Sequence, residues 1–241
     1  MIDTHCFVGS LNPCLSASPE VLLQGMTKHK ISFAILTHFT GHFYNFLEGN
    51  HYLRQIIEGS ENFYGYLSAN PYYVQHSIAD MKKHLSNNKF VALHFNPLTW
   101  GIEWYEQPVL ELLNAYRRFV KPLVCYFPAE RYSVAQRLAN DFATMQFLLL
   151  DIKSAEWDEA IKLGKSCPNI FLCVSPYILP QDIKKACELL GAHRLIMGSN
   201  FPLFPQSVVL RLIESSGISE REISLITSQN AGKFFRIGGE G

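Results

Sequence analysis

Short apolar runs alternate with longer stretches of helical period along this chain, and few folds accept such a pattern. The runs are Ile2 to Val8, Ile31 to Phe39, Phe63 to Ala69, Phe90 to Phe95, Leu123 to Phe127, Gln146 to Ile152, Ile170 to Ser175 and Arg194 to Gly198. β-Branched, leucine and aromatic residues dominate them, as expected of strands buried on both faces. Helical sequence follows each run. The first helix is predicted near Pro19 to Lys28, with Ser18 as N-cap and Pro19 in its first turn. A periodic segment from Tyr44 to Glu58 stops at Gly59, and Gly191 sits where a C′ residue belongs after Gln181 to Leu190. Helical material closes the chain over Gln206 to Ser215 and Glu220 to Phe235.

Eight such units in 241 residues match an α/β chain folded as a (β/α)8 TIM barrel. A doubly wound open sheet also alternates, but it would show a break between two halves, and no linker or low-complexity tract divides this chain. The expectation is a single barrel domain over residues 1–241.

Composition narrows the function. Apolar residues make up 48%, enough for a sizeable core, and Lys plus Arg balances Asp plus Glu at 21 each. A neutral chain has no global field to hold a polyanion, so nucleic acid is not an expected partner. Charged residues are only 17%, which is compatible with a homodimer as well as with an uncharged polar surface. None of the six cysteines forms a C-x-x-C pair, which fits a reducing compartment. No signal peptide and no apolar stretch of membrane-spanning length is visible, so the expected location is the cytoplasm, with no membrane partner.

Barrel chemistry sits at the carboxyl ends of the strands. Read there, the sequence supplies Asp3 and His5, then His38 with His42 beyond it, Ser68 and Asn70, His94 and Asn96, Cys125 and Tyr126, Asp151, Ser175, and Ser199 with Asn200. Imidazoles and a carboxylate around one rim suit a divalent metal site, and equally a metal-free acid–base pocket. Each residue also has a plainer reading. His5 could be a core histidine bonded to a carbonyl, His38 part of a surface loop, and His94 a partner of the Asn96-Pro97 turn. Asp151 follows four apolar residues and is harder to explain structurally, because an unpaired buried carboxylate is costly. The Trp100 to Tyr105 segment reads as a substrate wall or as the cover of the barrel top. No G-x-G-x-x-G, Walker A, G-x-S-x-G or H-E-x-x-H motif is present, and Ser175 has no ordered triad around it.

Four segments resemble a known family. Ile2-Asp3-Thr4-His5 resembles the start of an I-D-x-H-x-H motif, and Val91 to Pro97 resembles the fourth-strand segment that accompanies it. The more specific pieces are Gly191 to Pro202, similar to G-A-x-R-[LI]-[LM]-x-G-S-D-F-P, and Leu225 to Ala231, similar to I-x-x-x-N-A. These are marks of the amidohydrolase-related proteins, in the branch that holds aromatic-acid decarboxylases and lactone hydrolases. The resemblance implies a metal-dependent barrel with one or two divalent ions such as zinc. It places metal ligands at His5, Phe7, Tyr126 and Asp151, and the catalytic aspartate, a metal ligand or the base on water, at Asn200. Phe7 cannot coordinate, and Asn200 cannot act as a base. Asp3 or His94 would have to complete a metal set.

Three readings stay open. One is a divergent hydrolase or lyase for a small carboxylate, lactone or amide, with His94, Asp151 and Asn200 as catalytic candidates and His38, Trp100, Tyr126 and Ser175 contacting substrate. Another is an inactive barrel that binds a small molecule or a protein. The last is a metal-free isomerase or lyase using His and Asp.

Overall fold

In the computed structural model, which describes residues 1–238, nine strands form one sheet. They are β1 (Ile2–Asn12), β2 (Leu15–Ala17), β3 (Phe33–His38), β4 (Phe63–Leu67), β5 (Phe90–His94), β6 (Leu123–Cys125), β7 (Phe147–Leu149), β8 (Ile170–Val174) and β9 (Leu195–Met197). From β1 through β3 to β9 the strands pair in parallel and in chain order. β2 turns back antiparallel on the far end of β1, around an Asn12 side chain that accepts from the Cys14 and Leu15 amides at 2.9 Å each. The sequence pattern does not predict this hairpin, because Ser10 to Pro13 carries no apolar alternation.

The closed eight-stranded barrel expected from the sequence needs correcting. The fold is α/β with a curled, open sheet, related to that barrel but not identical to it. β1 and the chain just beyond β9 meet at one isolated bridge between Cys6 and Phe201, with the Phe7 amide donating to the Phe201 carbonyl at 2.7 Å. Two local features accompany the open seam. β9 is only three residues long, and Asn200 beyond it adopts a φ of 58°. On the other side, β1 carries a bulge between Asp3 and Cys6. Side chains bind the seam instead: Thr4 Oγ1 donates to the Met197 carbonyl at 2.7 Å, and Asp3 accepts from the Ser199 amide at 2.8 Å.

Two apolar layers follow from the strands' alternation. Ile35, Tyr66, Val124, Leu148, Cys173 and Ile196 fill the inside of the curl. Phe234 and Phe235 pack into the same cluster from the last helix, Asn230–Phe235. The outer layer packs Leu36, Leu93 and Leu172 against helix residues such as Leu53, Leu112 and Trp157. The terminal N-A motif acquires a structural role here. Asn230 donates its amide to the Ala192 and Leu195 carbonyls at 2.8 Å each and so holds the start of β9.

Local signals in the sequence were honoured. Ser18 caps the helix Pro19–His29, and Gly191 takes a φ of 96° while its amide donates to Ala186. The periodic segment from Tyr44 forms one helix, Phe46–Glu58, capped by Asn45, and a short helix that the pattern does not predict, Phe39–Phe43, precedes it at the end of the second apolar run. Among the described residues all six cysteines are free, and no helix is long and apolar enough to cross a membrane.

Candidate active site

The β1 bulge determines which polar residues reach the mouth. Without it, strand parity would put residues 3 and 7 on the same face. With it, Ile2 packs inside the curl, Asp3 is held by Ser199 and by Gln206 Nε2 at 3.1 Å, and Phe7 lines a cavity at the carboxyl end of the sheet. Asp3 is therefore a clamp across the seam, not a member of the cavity wall.

That cavity measures about 340 Å3. His94 and Asp151 line it from β5 and from the end of β7, and Tyr126 lines it just beyond β6. Phe7, His42, Phe43, Asn96, Thr99, Lys153 and Tyr177 complete it. His5 lies just beneath. It is 1% exposed, its Nδ1 stands 3.6 Å from the Asp151 carboxylate, and neither ring nitrogen makes a hydrogen bond. Its ring centroid is 5.4 Å from that of Phe7 and 6.0 Å from that of His94.

Asp151 is the best-placed carboxylate. Its side chain is 35% exposed, toward the cavity, and it accepts from Asn200 Nδ2 at 3.1 Å. The same Asn200 nitrogen contacts the Tyr177 hydroxyl at 3.0 Å. The Tyr126 and Tyr177 phenols are both pushed above their ordinary pKa, by burial first and then by nearby carboxylates, Asp151 among them. They are neutral hydrogen-bonding groups at physiological pH.

His94 and His42 are neutral as well. His94 Nδ1 is 2.8 Å from Thr37 Oγ1, and its ring lies 4.2 Å from that of His42. Burial, reinforced by His42 and His5, holds His94 well below the ordinary histidine pKa. Burial, with His5 behind it, brings His42 down to about 4. Phe7 stacks on Phe39 at 4.8 Å and closes the aromatic side of the mouth. The mouth thus combines one carboxylate, one ammonium and a rim of neutral rings.

The remaining candidates lie apart from the cavity wall. His38 is buried under Gly9, 5.6 Å from the Tyr52 ring. Ser175 is fully buried with its hydroxyl unpartnered. Trp100 is partly buried in the turn Pro97–Trp100, where Thr99 reaches the cavity instead. In the aromatic segment after it, Trp104 stacks on Phe127 at 4.5 Å within the outer layer. His42, Phe43, Thr99, Lys153 and Tyr177 are cavity residues that the strand-end survey passes over or leaves without a role. They lie in loops and short helices beyond the strands. Their only sequence signal is proximity: Lys153 follows Asp151 by two residues and Tyr177 follows Ser175 by two.

A divalent ion of the kind the fold relatives use does not fit these residues. Among the described residues, no group of three or more His, Cys, Asp or Glu side chains is arranged to hold one. The position of a second β1 ligand is filled by the Phe7 ring, and the Asn200 amide already donates to the one carboxylate.

Comparisons with known proteins bear on the family and the fold. Residues 16–237 match the amidohydrolase family. No curated protein matches the chain. Among solved structures, 5-carboxyvanillate decarboxylase from Sphingomonas paucimobilis is similar at a TM-score of 0.77 and 14% identity, covering 98% of each chain. A dihydroxybenzoic acid decarboxylase from Polaromonas sp. JS666, solved with manganese and 2-nitroresorcinol, is similar at 0.79 and 13%, over 99% of this chain and 97% of that one. A 2-pyrone-4,6-dicarboxylic acid hydrolase, so described provisionally, from Pseudomonas putida is similar at 0.77 and 16%, over 99% and 98%. At these identities the likeness is one of fold.

Proposed function

We propose, since this chain belongs to the amidohydrolase family, that its mouth takes up a small carboxylate, lactone or amide and turns it over as a hydrolase or lyase without an intact metal cluster. The curl, seamed by Asp3, Thr4 and the Cys6–Phe201 bridge, then serves as a (β/α)8 barrel in function, a single domain whose chemistry lies at the carboxyl ends of its strands. The observation that carries the reading is the His5–Asp151 pair. A fully buried imidazole without a hydrogen bond, 3.6 Å from a carboxylate that faces a cavity, is costly as a mere packing element. It makes sense as the support of a reactive group.

Asp151 accepts a proton in this scheme, for example from water attacking a lactone or amide carbonyl, and returns it to the departing oxygen or nitrogen as the acyl C–O or C–N bond breaks. His5 stands behind it and stabilises its charge. His94, with Nδ1 engaged by Thr37, offers its other ring nitrogen to the substrate. Lys153 at the rim attracts the substrate carboxylate, and Phe7, Phe43 and His42 supply a flat apolar wall. About 340 Å3 is at the small end of ligand sites, which favours a compact acid.

One observation favours a second reading, a barrel kept for binding only. Asn200 is neutral and donates to Asp151, so the acid–base partner implied by the family resemblance is absent. A panel of small aromatic acids, lactones and amides separates the two. The experiment follows product formation by chromatography and binding by thermal shift, with and without chelator. Chelator-resistant turnover that Asp151→Asn abolishes while binding persists is the expected result. Binding with no turnover of any panel member would establish the second reading instead.

A further inference from the structure

We propose that the opposite end of the sheet holds a second binding site, for a small organic anion carrying two or more negative charges on a flat body. A cavity of about 1010 Å3 opens there. Pro122, Gln146 and Asn169 line it, just before β6, β7 and β8, which places it at the amino ends of the strands. Phe234 and Phe235, the residues that pack into the inside of the curl, form part of its floor.

Charge sets this cavity apart. Arg117, Lys121 and Arg236 line it, and no Asp or Glu is among its described lining residues. The chain as a whole is balanced at 21 cationic and 21 anionic residues, so a cavity whose described charged residues are all cationic is not the by-product of a basic protein. Lys121 is fixed at the wall: its Nζ donates to the Phe90 carbonyl and, at 3.3 Å, to that of Asn87. Arg236 is close enough that its charge, added to burial, lowers the Lys121 pKa. Half-buried Lys121 beside the Arg236 charge is disfavoured in its protonated form, and a bound polyanion relieves that. Guanidinium groups add directional, two-pronged contacts to phosphate or carboxylate.

The walls specify the rest of the ligand. Tyr64 and Phe119 are half-buried in them, and the Gln146 amide adds neutral hydrogen bonding. Aromatic faces beside cations suit a planar anion better than a compact inorganic one. The volume is ample for a nucleoside phosphate or a comparable aromatic polycarboxylate. The mouth cavity shares no residue with this one, so the site stands independently of the proposed chemistry.

Calorimetric titration tests the inference, with a nucleoside triphosphate, the bare nucleoside, a benzene tricarboxylate and inorganic pyrophosphate as probes. The flat polyanions should bind, with the triphosphate and the tricarboxylate arms reporting which anion is preferred, and the neutral nucleoside should not. Raised salt should weaken the binding. Arg117→Glu and Arg236→Glu, both at exposed positions, should each weaken it about tenfold or more, the loss of one charge-assisted contact. Asp151→Asn at the mouth should leave it unchanged. Lys121→Ala removes a structural bond as well, so the two arginine variants decide the matter. No binding of either flat polyanion, or binding that survives both arginine substitutions, would overturn the proposal. So would binding lost in Asp151→Asn.

Discussion

The Asp151 carboxylate and the Asn200 side-chain amide meet at 3.1 Å, and both residues hold left-handed backbones, with φ of 55° and 58°. Asn and Asp are the side chains that best tolerate that region. The pair therefore joins the ends of β7 and β9 across the mouth with residue types the backbone itself favours. Replacing Asn200 by Asp keeps the backbone preference but faces one carboxylate with another. Above the carboxylate pKa range the variant loses a donor and gains a repulsion. The cost is about 1–2 kcal/mol, at the low end because Asp151 is partly solvated. Repulsion raises the folded-state pKa of the pair, so the deficit should be full near neutrality and shrink as pH falls into the carboxylate range. Urea unfolding at neutral and acid pH checks this, and a deficit that grows on acidification would refute it.

His42 gives the mouth a pH dependence of its own. Its folded-state pKa is about 4, below the unfolded value of about 6.5. Between those values the unfolded chain binds the proton that the folded chain excludes. The stabilisation is present above the unfolded pKa and is lost as pH falls through about 4, amounting to up to ~3 kcal/mol. His42→Phe keeps the stacking against Phe7 and His94 and removes the titration. It should flatten the stability profile between pH 6.5 and pH 4 relative to the wild type. Parallel profiles for the two proteins would show that His42 titrates normally.

These two residues mark where the sequence is legible. Alternation specifies the order and partners of the eight parallel strands, because buried parallel strands must be continuous and apolar. It says nothing of the extra residue between Asp3 and Cys6, since a bulge needs no special residue type, yet that residue decides that Phe7 and not Asp3 lines the cavity. His5, His94, Asp151, Tyr126 and Asn200 are legible from strand ends alone. His42 and Tyr177 depend on how a short helix and a loop fold back, which is a tertiary matter. The Trp100 to Tyr105 segment reads in sequence as a substrate wall or as a cover, and its Trp104 belongs to the outer layer, because a tryptophan beside a barrel rim packs equally well on either side.

Among the described residues no metal-binding constellation is assembled, and metal affinity should return in steps as ligands are restored. A zinc site needs three or four protein ligands, and His5 with Asp151 offers two. Phe7→His alone should therefore leave the protein without stoichiometric zinc. Combining Phe7→His with Tyr126→His and Asn200→Asp, all three beside the mouth, should create measurable stoichiometric binding. Metal content after dialysis against zinc reads the outcome. Stoichiometric zinc in the unaltered protein that disappears in Asp151→Asn would show that the mouth assembles a metal set on binding.

Gly49 is predicted to control the mouth from outside it. The helix Phe39–Phe43 carries His42 and Phe43 and crosses the helix Phe46–Glu58 where Gly41 meets Gly49. A Cβ on Gly49 would lie 2.1 Å from the Gly41 nitrogen and 2.2 Å from its Cα, so backbone must move against backbone. No flexible side chain can absorb the overlap. Gly49→Ala should cost about 3 kcal/mol, the upper part of the range for overpacking, despite alanine's better helix propensity. Relief can come by lifting the short helix, which would draw His42 off its 4.2 Å contact with His94. The variant should therefore raise the His42 pKa toward its ordinary value as well as lowering stability, a pair of effects readable by imidazole proton resonances and by thermal unfolding. Lost stability with an unmoved His42 titration would show that the longer helix yields instead, and that the short helix is held by its aromatic stack on Phe7 alone.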